Sequence, residues 1–509
     1  MKTTPYYIFL FLIVCATSRA AADDSASRLA PTDIAVEVSG TAATGKYAPL
    51  WLTANRYGLG SVNTASAYQR AYALRDIEAD SARRWRLGYG LDLAVAEGHE
   101  RIGIVQQAYV EAAWKVLHLT VGAKQQPMET HSSELTSGDI MLGINARPIP
   151  QVRLDVDWFG IPGTKRWWMW KFYGSYGFTT DGRWQQQWVA PGERYARHML
   201  YHEKGLFWQF GRPDRLPLTY EFGLRMATQF GGTTYDVRTR RLDDGAANTI
   251  KHSSNLRAFW NALICSGSDA TDGTDPNTSG NVLGSYVMQL RYWGERWWGR
   301  AYFERFFEDQ SMLTVQYGVR DMLIGGEVFL PKNRFVSAAV LEWLTTTNQS
   351  GAVYHDYTPN IPDKMNGRDG YYNHLLYPGW QYYGHSIGNP LLTSPLYNEA
   401  LGRDGVLQFF NNRVRALHFG LSGDPAPQWH WRLMASLTRN WGTHDIPLSD
   451  PHMHQNYFLA EAAYSPEWAK GLNIKMALAM DQGQVLGNTF GAQLTLKYGF
   501  GCTKANKEE

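Results

Sequence analysis

Along much of this chain apolar and polar side chains alternate one for one. In "FGAQLTLKYGF", Phe490, Ala492, Leu494, Leu496, Tyr498 and Phe500 fall on one side of an extended strand, and Gly491, Gln493, Thr495, Lys497 and Gly499 on the other, because successive side chains point to opposite faces. "WRLGYGLDLAV" repeats the pattern, with Trp85, Leu87, Tyr89, Leu91, Leu93 and Val95 set against Arg86, Gly88, Gly90, Asp92 and Ala94. "DIAVEVSG" near Ile34 and "VLHLTVGA" near Leu117 follow it too. Further strand-length pieces lie in 217–230, 285–293, 298–307, 334–344, 414–423, 429–441, 456–465 and 472–480, bounded by Gly, Pro, Asn and Asp. Together they predict roughly 16 to 20 strands.

A soluble sheet turns its greasy face to a core, whereas a membrane barrel turns it to lipid. Charged residues on one face of many strands, and the lack of a fixed repeat, argue against a sandwich or propeller. The first residues point the same way. Lys2, the apolar run Tyr6 to Ala16 and the small residues of "TSRAAADD" read as a signal peptide over 1–22, which implies export. No long apolar run follows, and mean hydropathy is -0.38. A membrane-spanning chain without spanning helices must be a closed barrel, since every backbone polar group needs a partner in lipid. The expected fold is therefore all-β, a transmembrane outer-membrane β-barrel over 23–500 with a polar tail at 501–509. Leu494 and Leu496 would face lipid, and Gln493, Thr495 and Lys497 the lumen. Short turns ("EGHER", "PAPQ", "AKG") and long polar loops fit such a barrel, whose two rims differ in loop length.

Some segments break the alternation. "SSNLRAFWNALI", Ser253 to Ile264, spaces its apolar residues as a helix would, with a serine as N-cap. "GTKRWWMWKFYGSYG" near Gly163 fits either element. The long loop 348–408 exceeds ordinary connections, and its aromatic load argues for an ordered segment lying on or inside the barrel.

The 509 residues include 49 basic and 47 acidic ones, a balance that gives no case for nucleic acid. Twenty Trp, 29 Tyr and 21 Phe are unusual in number; interfacial girdles and sugar-stacking platforms both use them. Beyond the signal segment only Cys265 and Cys502 remain, too few for a disulfide scaffold, and their pairing is left open. No nucleophile elbow, zinc-protease or phosphate-loop motif occurs. "YHEKG" sets His202 beside Glu203 without a second histidine, so no catalytic residue, metal or cofactor is assigned. Asp269, Asp272 and Asp275 lack calcium-loop spacing. The sharper candidates are Tyr371, Tyr372, Asn373, His374, Trp380, Tyr382 and Tyr383. There rings able to stack on a sugar interleave with groups able to bond its hydroxyls. The same rings could simply pack the loop into the barrel mouth.

Several long strings carry a resemblance: "TGKYAPLWLTANRYG", "NARPIPQVR", "PLTYEFGLRMATQFGG", "FWNAL…SGSDATDGTD", "YYNHLLYPGWQYYG", "IGNPLLTSPLYN" and "FFNNRVRALHFGL". They resemble the Wzi family of capsule assembly proteins in its Bacteroides-type form. That resemblance implies about 18 strands with helical and loop elements closing the pore. It also implies a non-enzymatic lectin that binds capsular polysaccharide and helps attach it at the cell surface, beside the export machinery. A porin-like channel for glycans or small solutes is the alternative, and an outer-membrane hydrolase a more distant one.

Overall fold

The computed structural model describes residues 32–80, 84–237, 248–266, 280–308, 320–354, 365–449 and 451–500. Eighteen strands form one antiparallel sheet. The first six are β1 (Asp33–Ala43), β2 (Ala65–Arg75), β3 (Trp85–Glu97), β4 (Gly103–Trp114), β5 (Leu117–Ala123) and β6 (Gln151–Gly160). Next come β7 (Trp168–Phe178), β8 (Leu200–Phe210), β9 (Leu218–Phe230), β10 (Asn281–Trp293), β11 (Trp298–Glu308) and β12 (Met322–Phe329). The circuit finishes with β13 (Ala338–Thr345), β14 (Val414–Ala426), β15 (Trp429–Asn440), β16 (Met453–Tyr464), β17 (Leu472–Gly483) and β18 (Thr489–Gly499). Each strand pairs with its neighbour in sequence, and β18 pairs back onto β1, from Ala35 opposite Gly499 to Ala43 opposite Gly491. Closure leaves no unpaired sheet edge, the condition for crossing lipid with strands.

The alternation read from the sequence holds in the wall. Phe490, Leu494, Leu496 and Tyr498 are exposed, whereas Gln493 and Thr495 are buried. On β3, Trp85, Leu87, Tyr89, Leu91 and Leu93 are exposed and Asp92 is buried. The apolar face therefore points outward, the reverse of a soluble sheet. Outward aromatic pairs such as Trp85 with Trp114 and Trp429 with Tyr464 lie at one rim, as interfacial girdles do.

That rim has brief connections, including 115–116, 294–297 and 427–428; the opposite rim carries 44–64, 124–150, 179–199, 231–280 and 346–413. "EGHER" departs from the expectation, for this short turn belongs to the long-loop rim. The ambiguous stretch near Gly163 supplies β7, and β13 begins at Ala338, later than Arg334. The expected helix is real but starts at Leu256. Its N-cap is Asn255, whose side chain accepts from Ala258 N at 3.0 Å, and not a serine. The signal segment, the tail with Cys502, the cluster Arg238 to Arg241 and the loop Asp269 to Asn281 up to residue 279 lie outside the described residues.

Three long segments turn inward and fill the lumen. Leu50–Thr53 forms a short, wholly buried helix, anchored by Leu50 N donating to Asp481 of β17 at 2.9 Å. The 124–150 segment runs deep. Ser132 N donates to Glu327 of β12, Ser137 N to Glu342 of β13, and Ile140 N to Glu304 of β11, at 2.8, 2.7 and 2.8 Å. Near the short-turn rim Glu134 meets His430 at 2.6 Å. At the centre Arg225 of β9 donates to both oxygens of Asp139, at 2.5 and 2.9 Å, and to Glu304 at 2.8 Å. All three are buried, so wall and plug share one ionic knot. Separating such charges leaves them unpaired in a poorly solvated interior.

Candidate functional site

The third inward segment, 371–413, holds the seven sequence-derived candidates. Tyr371, Tyr372, Trp380 and Tyr382 are buried, Trp380 with 0% of its surface exposed. Their polar atoms bond to protein. Tyr371 Oη donates to Asp321 at 3.0 Å, Tyr372 Oη donates to Ile140 O, Trp380 Nε1 donates to Met141 O at 2.9 Å, and Tyr382 Oη donates to Thr180 O at 3.2 Å. In this arrangement these rings present no face to a sugar. They tie the plug together, which is the packing alternative left open by the sequence. Asn373 and His374 are half-buried but also engaged. Asn373 exchanges reciprocal 2.9 Å bonds with the Phe409 backbone. His374 Nδ1 accepts from Leu376 N and Tyr377 N at 3.0 and 3.2 Å. Burial, with Arg194 and His252 nearby, lowers its pKa to about 3.

Tyr383 differs. It is half-buried at the tip of a two-stranded hairpin, Gln381–Tyr382 with His385–Ser386. Tyr383 and Gly384 both have positive φ, 52° and 77°, the pattern of a type I′ turn, which favours Asn-Gly. A tyrosine in the left-handed region is held at a cost. The surroundings supply the hold: the Arg147 guanidinium lies 4.4 Å from the ring centroid and that of Arg101 5.9 Å. Arg147 is paired with Glu100 at 3.2 Å. Arg101 donates to Asp181 O at 2.8 Å and to Gly182 O, and among the described residues no carboxylate pairs with it. Beside Tyr383, Trp184 and Trp188 stack at 5.4 Å on the one-turn helix Trp184–Trp188. Trp184 is buried, Trp188 half-buried, and Arg183, Gln186 and Gln187 exposed. The result is a ledge at the long-loop rim with aromatic faces, the Arg101 guanidinium and amides, and buried Arg147 supports the Tyr383 ring from beneath. Chemically it can stack on an apolar sugar face and donate to hydroxyl or carboxylate oxygens.

Of the residues gathered at this ledge, Tyr383 is among the sequence-derived candidates, and Trp184, Trp188, Arg101 and Arg147 are not. The signal for the tryptophans was present as the i, i+4 spacing in "WQQQW", but one turn is too short to show a period.

Two other arrangements do not make sites. His131, Asp139 and Glu304 bring potential ligand atoms within 4.8 Å of one another; Arg225 already supplies the positive charge there. His202 and Glu203 are adjacent in β8 and so point to opposite faces. Glu203 bonds inside the lumen to Arg153 and Tyr201, and His202 faces outward.

The consecutive antiparallel circuit, outward apolar wall and inward polar lining decide the architecture. The fold is that of an outer-membrane β-barrel. No family model matches the chain, and no curated protein matches it in sequence. Among solved structures it is similar to Wzi of Escherichia coli, an outer-membrane protein involved in group 1 capsule assembly and a carbohydrate-binding β-barrel. The TM-score is 0.53 at 12% identity, over 91% of this chain and 83% of that one. Pseudomonas aeruginosa OprD gives a TM-score of 0.44 at 9% identity, covering 93% of this chain and 95% of that one. Acinetobacter baumannii OccAB4 gives 0.43 at 8%, covering 93% and 99%. At these identities the likeness is one of fold.

Proposed function

We propose that this barrel is a non-enzymatic outer-membrane protein that binds a capsular or other surface polysaccharide at its long-loop rim and helps hold it at the cell surface. The observation that carries the reading is the plug. Three inward segments bonded to the wall leave the barrel a scaffold for a surface and not a conduit. The ledge of Tyr383, Trp188 and Arg101 is the surface offered to the glycan. The sequence resemblance to capsule assembly proteins and the fold likeness to a carbohydrate-binding barrel support the same reading. A single ledge contacts few sugar residues, so each contact is weak. Many copies acting on one repeating polymer convert weak contacts into retention.

The test compares cell-associated with released capsule after deletion of the gene. Loss of attachment, restored by the intact chain but not by Tyr383→Ala, is expected. Unchanged attachment overturns the proposal. A glycan pulldown with Trp188→Ala and Tyr383→Ala, in barrels that keep their heat resistance in detergent, assigns the ledge itself.

A further inference from the structure

One sector of the wall breaks the outward apolar rule. On the side that carries Leu206, Trp208 and Phe222, Tyr176 of β7, His202 and Lys204 of β8, and Thr228 of β9 stand just inside Phe178, Leu200 and Phe230, the last outward positions before the long-loop rim. Tyr176 stands opposite His202, and His202 opposite Thr228. A bare lysine on the lipid face is destabilising at mid-membrane and less so toward the interface.

Here a helix covers the defect from outside. Leu256–Ile264 lies on this sector, with Phe259 against Phe230 and Tyr176 at ring separations of 5.2 and 5.1 Å. Ala258 and Ala262 are buried at the contact, and their small side chains allow close approach. Tyr176 Oη donates to Phe259 O at 2.7 Å. Lys204 Nζ donates to Ala262 O at 3.2 Å and to Leu263 O, so the outward lysine is spent on the helix's terminal carbonyls, where a cation is favoured.

The face turned away from the wall is apolar. Leu256 is 88% exposed and Trp260 58%, and Leu263 and Ile264 are exposed beside them. At 3.6 residues per turn these four share an arc of roughly 100°. Arg257 and Asn261 lie on the neighbouring arc. The helix therefore has three faces: small and aromatic toward the wall, apolar outward, and polar along one side.

We infer that Leu256–Ile264 is an in-plane membrane anchor, seated among the headgroups and upper acyl chains of the leaflet at the long-loop rim. The occupant of its apolar arc is lipid, because the arc continues the apolar band of the wall on which the helix lies. Trp260 provides an interfacial aromatic in the sector where the wall's own outward positions include His202, Lys204 and Thr228. This inference does not depend on the glycan reading.

The test uses the full chain with Cys265→Ser and Cys502→Ser, carrying Leu256→Cys or Trp260→Cys labelled with an environment-sensitive fluorophore. The barrel is reconstituted in phosphatidylcholine vesicles containing nitroxide lipids. Leu494→Cys provides the lipid reference and Gln187→Cys the water reference. Blue-shifted emission, with nitroxide quenching within about twofold of the Leu494→Cys label, is expected for an interfacial helix. Quenching by aqueous iodide equal to that at Gln187→Cys would overturn the inference. So would protection from both quenchers, since that means protein, such as a second copy, covers the arc. Because Leu256 is almost fully exposed, its substitution tests the placement without disturbing the packing under the helix.

Discussion

The wall and the plug draw on the same aromatic and charged residues under opposite rules. In the wall, Phe490 and Tyr498 are exposed and Gln493 and Thr495 are buried; in the plug, Trp380, Tyr371 and Tyr372 are buried and bonded. The difference follows from what surrounds each region. Lipid accepts apolar surface directly, so the wall needs only a period of two. A plug must fill the polar interior of a barrel, so its rings need hydrogen-bond partners and its partners need the rings. Backbone N–H groups of 132–141 meeting wall carboxylates are one half of that exchange, and tyrosine hydroxyls meeting carbonyls and carboxylates are the other.

The contrast can be broken at the knot where the two regions meet. Arg225→Ala should cost about 3–5 kcal/mol, because Asp139 and Glu304 then remain buried without their cation. A lower unfolding temperature in detergent, with new protease cleavage in 124–150, checks this. In the wall the equivalent insult is Leu494→Arg, expected to cost about 2–4 kcal/mol at the lipid midplane while leaving glycan binding per folded barrel unchanged. Urea titration in vesicles measures the first part and a pulldown the second.

Acid should loosen the plug before it affects the wall. Burial, with Arg300 and Arg225 nearby and Asp139 opposing them, holds His131 at a pKa of about 3, against about 6.5 when unfolded. Between these values the unfolded state binds more protons, so the contribution is complete above pH ~6.5 and is lost progressively as pH falls toward ~3. His374, also near 3, adds to the same slope. Hydrogen exchange of 124–150 at pH ~7 and ~5 should show weaker protection at the lower pH, with the dependence reduced in His131→Gln.

The smallest effect separates function from packing. Tyr383→Asn should raise stability by up to about 1 kcal/mol, since Asn tolerates the left-handed turn position better. It should weaken glycan binding by about 1 kcal/mol, roughly fivefold in Kd, through loss of the ring face. A fall in both would mean that the ring serves only the fold.

Much of the wall was legible from residues alone, because side-chain period and strand length survive whatever the barrel encloses. Its direction was legible too: Gln493 and Thr495 lie inside as alternation requires. The plug was not. In 124–150, Ser132, Ser137 and Ile140 are placed by carboxylates on β12, β13 and β11, far away in sequence, and nothing periodic announces such contacts. The aromatic run 371–383 was legible as ordered, yet which rings anchor and which remain accessible depends on a hairpin that turns Tyr383 alone toward the rim. The helix was legible from its spacing, but its seat outside the wall was not, since that depends on Lys204 and Tyr176.

The central claim is that the barrel is closed by its own chain and acts through its surface. Planar-bilayer recording of the reconstituted full-length protein tests it most directly. A silent membrane is expected, with steps appearing only when Arg225→Ala releases the plug. Stable open-channel steps from the intact protein would contradict it.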